Sequence, residues 1–455
     1  MRQRHQIALP PATPETAPFL RDSGGNFAVT FAVVAPVLLL LIGMGVDFLT
    51  AYSNKARMDA AADAAAIAAA ATAKAFFAAN SGSGNYTVDS LPLAAKAAGE
   101  AQGVKAFNAN IGSTNLIATV TPRVVVTPTG LTFSATVTWS GAVPSSFGGL
   151  VNVSQFGISG VAKATSSLPK YQDFYIVTDV SGSMGIPADY ANQVLLQQNN
   201  PDNSGQIANG YVGGCQFACH FTGYQGYAYA KTNGIPLKLD AVGSSLQSLL
   251  STASATKVIA NQFRVGIYPF IVDAIQTAPL SSTFTLANTV AGNLGGLLDQ
   301  GNSNQGMGSG GTHFENLWKD VQPYLQTPGT GATANSPQPF IVLVTDGVDN
   351  NQTYSPWTGS QPKLPPTTFC DNAKAAGYTV AVLLITYAPI ANPVPSFANG
   401  EDIKVNDMIN AGTITTTMQA CASGGFFYQA SSSAAINTAM QQIFAQATQL
   451  TRLTQ

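Results

Sequence analysis

The sequence predicts an α/β protein: a doubly wound parallel sheet in the C-terminal part, preceded by a single transmembrane helix and a small α+β module. Three observations predict it. Residues 27–46 form one uncharged apolar run. Residues 116–164 alternate apolar and polar side chains, the period of a half-buried strand. From residue 170 onward, short apolar β-rich runs alternate with segments of helical period, the pattern of parallel strands covered by helices.

The chain of 455 residues is long enough for two or three domains. Only 9% of it is charged, far below the roughly 25% of an average soluble protein, and Ser, Thr, Asn, Gln and Gly fill the gap. A net charge of −2 without basic runs excludes the electrostatic footprint of a nucleic-acid binder. The balance is that of a bacterial envelope or surface protein.

The run from Phe27 to Val46 holds 20 residues with Thr30 as its one polar side chain, and Asp47 ends it. A helix of that length spans about 30 Å, the thickness of a bilayer core, and Pro36 is tolerable there. The alternative is a cleaved signal peptide. The run is long for that, and no A-x-A site follows it, so a retained anchor is expected. Arg2, Arg4 and Arg21 precede the span, while Lys55 and Arg57 follow it. This modest bias predicts a cytoplasmic tail over residues 1–26 and an exported C-terminal bulk. Export would let Cys215, Cys219, Cys370 and Cys421 form two disulfides.

Residues 47–165 form the α+β module. An alanine-rich helix is expected over Tyr52–Ala79, where Met58, Ala62, Ala65 and Ala69 make a small-residue stripe for a packing helix. A second helix is expected over Leu93–Asn108, followed by strands. No chemistry is visible here.

Chemistry begins at YQDFYIVTDVSGSMG, residues 171–185. Phe174–Val177 reads as a buried parallel strand, and at its end stand Asp179, Ser181 and Ser183 in a D-x-S-x-S arrangement. Loops at the carboxyl ends of such strands bind ligands. A carboxylate and two hydroxyls alternating along a turn suit a small hard cation such as Mg²⁺. A helix over Lys238–Ala253 and a strand over Phe263–Val272 follow. The glycine-rich Gly301–Gly311 then leads to Thr312, and a buried strand over Phe340–Val344 leads to Asp346. A helix near Cys370, a strand over Tyr378–Thr386 and a last helix from Ser432 complete the order.

Over residues 170–450 this order resembles the von Willebrand factor A family and its metal-ion-dependent adhesion site (MIDAS), a Rossmann-like fold. The resemblance implies that Ser181, Ser183 and Thr312 hold Mg²⁺ (or Mn²⁺ or Ca²⁺) directly. Asp179 and Asp346 then act through waters and hydrogen bonds, and a partner's Asp or Glu carboxylate takes the open position. Residues 185–236, which contain CQFACHF, are an insertion relative to that family. It is either a lid beside the metal face or a surface decoration.

The N-terminal GGNFAVTFAVVAP, the apolar run and KARMDAAADAAAIAAA resemble the TadE/TadG-like segment of Tad (tight-adherence, Flp) pilus-assembly proteins. Joined to a von Willebrand A domain, the whole looks most like the TadG group. Pilin-like relatives carry a glutamate five residues after the processing-site glycine. Here that position after Gly25 is Thr30, which favours an uncleaved anchor.

Other motifs carry less. Cys215-x3-Cys219-His220 lacks a fourth zinc ligand at suitable spacing, and a local disulfide is expected instead. Cys370 and Cys421 are expected to pair. Ser167-x-x-Lys170 sits in an SSLPK linker with neither S-D-N nor K-T-G downstream. His313 reads as a loop side chain, and Phe314 with Trp318 as helix core. The expectation is therefore a non-enzymatic, metal-dependent binding protein in the inner membrane, assisting Tad-type pilus assembly or surface attachment. A structural anchor with the C-terminal domain as spacer stands second. A metal-dependent envelope hydrolase, lacking a visible general base, stands last.

Overall fold

Alanine and leucine set the longest element. Helix α1 (Gly25–Asn80) runs 56 residues without a break, Pro36 included. The apolar run and the alanine-rich helix expected from residue 52 are both strong helix formers, and the structure joins them. The computed structural model describes residues 25–112, 120–208, 214, 220, 222–299, 306–352, 362–390 and 400–449. The expected Cys215–Cys219 disulfide and the first 24 residues lie outside these. Among the described residues, α1 is the one helix long and apolar enough to cross a membrane by length and composition. Phe27, Leu39, Leu41 and Ile42 on it are exposed.

The described residues divide into two compact units. The first combines α1 up to Ala73 with Lys96–Thr127 and Ser134–Thr165. Helix α2 (Ser90–Asn110) packs on the small-residue stripe of α1, where Met58, Ala62, Ala65 and Ala69 are all fully buried. Glycine permits the approach: a Cβ at Gly99 would stand 2.6 Å from the Ala69 carbonyl oxygen. Strands β1 (Arg123–Thr129), β2 (Thr132–Pro144) and β3 (Gln155–Ser167) form a sheet in that order. Phe107, Val137 and Trp139 close this core. Just beyond the apolar run, the Asp47 carboxylate accepts hydrogen bonds from Ser145 Oγ (2.6 Å) and from the amides of Ser146, Phe147 and Gly148. The Ser145 hydroxyl and those amides hold its carboxyl down at about 2.

The second unit comprises Lys74–Ala95, Pro128–Phe133 and everything from Ser166. It opens with β4 (Gln172–Asp179), then α3 (Tyr190–Asn199), α4 (Asn203–Ala208) and α5 (Gln225–Thr232). Next come α6 (Lys238–Thr256), β5 (Phe263–Phe270), β6 (Ala278–Ser281), α7 (Thr285–Gly292) and α8 (Leu317–Val321). Strand β7 (Gln338–Thr345), the short pair β8 (Asp349–Asn350) and β9 (Pro362–Lys363), α9 (Thr368–Ala375) and β10 (Thr379–Ile385) follow. The order ends with α10 (Glu401–Asn410), α11 (Thr413–Cys421), β11 (Phe427–Ala430) and α12 (Ser433–Gln449).

Six strands join in the order β11-β10-β7-β4-β5-β6. Five run parallel, and β6 pairs antiparallel with β5 at the edge. The sheet is parallel as expected, with one antiparallel strand, β6, added at its edge. Four residues without clear alternation offered no pattern for β6. Along β4 alternate side chains serve opposite cores. Phe174 and Ile176 pack with Leu246 of α6 and Phe444 of α12, whereas Tyr175 and Val177 pack with Phe369 of α9 and Met418 of α11. Helices on both faces make the sheet doubly wound. The insertion, of unspecified structure in the sequence reading, contributes α3 to α5.

Counted from β4, the strands lie in the Rossmann order 3-2-1-4-5-6. The chain leaves β4 toward β5 on one side and returns at β7 on the other. The loops after β4 and β7 therefore diverge, and they open the crevice where this class of sheet receives ligands.

Cys370 of α9 and Cys421 of α11 are disulfide-bonded with Cα atoms 5.1 Å apart, as expected, and both are buried in the second core. The bond closes a separation of 51 residues, for which chain entropy gives about 4 kcal/mol. A Cys370→Ala/Cys421→Ala variant should unfold at lower denaturant by an amount in that range. Added reductant should then lower the wild-type midpoint by more than the variant's.

Candidate metal centre

Asp179 is the last residue of β4, and Asp346 follows the last residue of β7. Both are fully buried. The backbone turns sharply after each. Ser181 donates to Asp179 Oδ1 through both its amide (2.9 Å) and its hydroxyl (2.6 Å), and its Oγ lies 3.3 Å from Ser183 Oγ. Thr345, closing β7, donates to Asp179 Oδ2 at 2.7 Å and accepts from the Gly347 amide at 3.0 Å. Gly347 adopts φ +82°, and a Cβ there would meet Ile414 at 2.8 Å, so the Thr-Asp-Gly turn requires glycine. The hydroxyl of Thr345 thus ties the two loops together.

Burial and the neighbouring Asp346 carboxylate push Asp179 up to about 7; two carboxylates out of water resist ionising together. Asp346 Oδ2 is met by Lys238 Nζ at 3.0 Å, both side chains fully buried. Asp346 Oδ1 is buried without a well-formed hydrogen bond. The Lys238 ammonium also lies 3.9 Å from the ring centroid of Tyr387. That tyrosine's hydroxyl is pushed well above its ordinary value by burial first and by Asp346 second.

Thr312 is 4% exposed and sits on the loop beside these turns. Its backbone pairs with Asn350 in both directions, at 2.9 and 3.0 Å, four residues beyond Asp346. Gly311 allows that pairing, since a Cβ there would fall 1.8 Å from the Asn350 carbonyl oxygen. Asp299 holds the same loop: its carboxylate accepts from Ser309 Oγ and from the Gly310 amide (2.9 Å), and its own amide donates to the Val180 carbonyl at 3.0 Å. The structure therefore joins Asp179, Ser181, Ser183 and Asp346 in one cluster, and it brings Thr312 alongside through backbone pairing.

The donor set of two carboxylates with serine and threonine hydroxyls fits a hard divalent cation, which takes oxygen ligands. Asp346 Oδ1, buried without a well-formed hydrogen bond, is an acceptor of the same kind. Among the described residues no three His, Cys, Asp or Glu side chains form a metal cluster, so hydroxyls must carry any such site. Lys238, Thr345, Asp299 and Tyr387 went unnoticed in the sequence. Thr345 was within reach of a reading, because it directly precedes Asp346 at a strand end. The others are distant in sequence and carry no motif.

The remaining candidates resolve as structure. His313 is buried, with Nδ1 3.0 Å from Glu315 and Nε2 2.8 Å from the Gln352 carbonyl. Phe314 packs on Phe270, and Trp318 on Phe369. Ser167 is bonded to Thr132 at 2.9 Å. His220 is buried and pushed down to about 4 by that burial, while its neighbours Cys215 and Cys219 lie outside the described residues. Asp349 is buried near Lys363, and it is pushed up to about 6 by burial and then by Glu315.

Asp299→Ala should free the Thr312 loop. Amide exchange at Gly310 should accelerate, and stability should fall by about 1–3 kcal/mol, the range for orphaning buried donors. Unchanged exchange at Gly310 would remove Asp299 from this role.

Comparison with known proteins gives one family. Residues 25–72 match the Tad family, described as "Putative Flp pilus-assembly TadE/G-like". No curated protein matches. Among solved structures the chain is similar to BatB, a conserved hypothetical protein of Bacteroides thetaiotaomicron, at 15% identity and a TM-score of 0.32, over 60% of this chain and 98% of that one. It is similar to the vWF domain of the type V pili tip protein Mfa5 of Porphyromonas gingivalis at 12% and 0.34, over 62% and 96%. It is also similar to the PilB minor pilin of Streptococcus sanguinis at 11% and 0.34, over 72% and 78%. The similarity to Tad pilus-assembly proteins is thus confined to residues 25–72, within the N-terminal helix.

Proposed function

We propose that this chain is a metal-dependent binding protein of Tad-type pilus assembly or surface attachment. It is anchored by residues 27–46 in the bacterial inner membrane with its C-terminal bulk outside the cytoplasm. The observation that carries the reading is the buried carboxylate pair Asp179 and Asp346, set beside Ser181 and Ser183 at the switch point of the sheet.

Ser181, Ser183 and Thr312 would hold Mg²⁺, Mn²⁺ or Ca²⁺, with Asp179 and Asp346 behind them. A bound divalent cation supplies Lewis acidity for an incoming Asp or Glu carboxylate of a protein partner. The chain's own part is positional. Asp179 and Thr345 orient the first loop, Asp299 and Asn350 set the Thr312 loop, and burial keeps water from competing for the open position. The proposal is recognition without catalysis.

A second reading rests on the long α1 and its Tad match: residues 27–165 act by packing among pilin-like helices, with the C-terminal domain as a spacer. Pilus assembly that survives deletion of residues 170–455 would favour it.

Metal binding tests the first reading. In the full chain in detergent micelles, calorimetry should detect saturable Mg²⁺ or Mn²⁺ uptake that Asp179→Ala abolishes. The raised Asp179 adds a pH signature. Its contribution to metal-free stability is complete below the ordinary carboxylate value of about 4 and is lost as pH rises through about 7. The cation needs the ionised carboxylate, so uptake should release a proton and strengthen from pH 6 to pH 8. Affinity that is flat across that interval would remove Asp179 from the site.

A further inference from the structure

Lys238 has no place in the adhesion site as the sequence resemblance describes it, yet it is built into the cluster. It is the first residue of α6 and is fully buried. Its amide donates to the Ile186 carbonyl at 2.8 Å, and Leu237 bridges Pro187. The segment just after the metal loop therefore delivers this side chain. Its ammonium reaches Asp346 Oδ2 at 3.0 Å under the face of Tyr387. A buried ammonium is costly unless it is paired, and here one carboxylate and one aromatic face meet it.

With both carboxylates ionised, Asp179 and Asp346 against Lys238 leave one net negative charge. A divalent cation turns that into one net positive charge. A single carboxylate from a partner then restores neutrality. Without Lys238 the metal alone would balance the pair, and an incoming carboxylate would overshoot. In a dry site such imbalances weigh far more than they do in water.

We infer that Lys238 is a resident competitor for the cation: it neutralises Asp346 in the metal-free protein, weakens divalent binding, and reserves full charge balance for metal and partner carboxylate together. The inference rests on the metal-binding reading above and deepens it. Metal occupancy would then report partner engagement, because neither alone satisfies the site.

The test is Mn²⁺ binding, without any partner, to the full chain in micelles, comparing wild type with Lys238→Met and Lys238→Gln. Gln retains a hydrogen-bond donor toward Asp346 should Met fail to fold, and circular dichroism checks both variants. Removing the ammonium should tighten Mn²⁺ binding about tenfold or more and lower the metal-free melting temperature. Binding by the variants where wild type shows none would support the inference equally. Wild-type binding with equal or weaker binding in folded variants would overturn it and leave the metal reading standing. Absence of binding in all three proteins would overturn both.

Discussion

The second unit depends on keeping two carboxylates, Asp179 and Asp346, out of water at the ends of adjacent strands. Strand order places them there: β4 and β7 are neighbours whose connections leave in opposite directions. Two buried negative charges at that point repel each other and lose their hydration. Every other polar group in the cluster answers that demand in part. The Ser181 amide and hydroxyl and the Thr345 hydroxyl serve Asp179, and the Lys238 ammonium serves one oxygen of Asp346. The second Asp346 oxygen is left without comparable support.

Seen this way, the surrounding loops are supports for a charge problem. Gly347 and Gly311 take backbone positions that no side chain would permit. Asp299 binds the Thr312 loop to the residue after Asp179, so loops far apart in sequence share one frame. The frame is rigid because both faces of β4 are filled, by Phe174 and Ile176 on one side and Tyr175 and Val177 on the other. Such a scaffold holds oxygen donors in place before any cation or partner arrives, and preorganisation of that kind lowers the cost of binding.

Much of this was legible in the sequence, for local reasons. Apolar runs ending in Asp179 and before Asp346 announce buried parallel strands with polar ends, and D-x-S-x-S compresses the first loop into five residues. The alanine stripe of α1 follows from spacing alone. What stayed hidden depends on distance. Lys238 looks like an ordinary basic residue at a helix start, and its meaning appears only when folding brings it to Asp346, 108 positions away. Asp299 reaches Gly310 and the chain after Asp179 by topology, without a motif. Strand β6 is four residues long and pairs antiparallel by tertiary context. The apolar run and the alanine-rich helix are one continuous helix, and the Asp47 carboxylate between them takes its hydrogen bonds from residues 145–148.

The central claim is that Ser181, Ser183 and Thr312 hold one cation beside Asp179 and Asp346, and that Lys238, paired to Asp346, weakens its binding. Anomalous diffraction from crystals soaked in Mn²⁺ addresses this most directly. The account predicts one peak in the crevice between β4 and β7, within about 2.0–2.6 Å of the two serine hydroxyls, the range of hard-cation bonds to oxygen, and a stronger one in Lys238→Met than in the wild type. A peak elsewhere, or no metal density beside Ser181 at saturating Mn²⁺ in crystals of both the wild type and Lys238→Met, would contradict it.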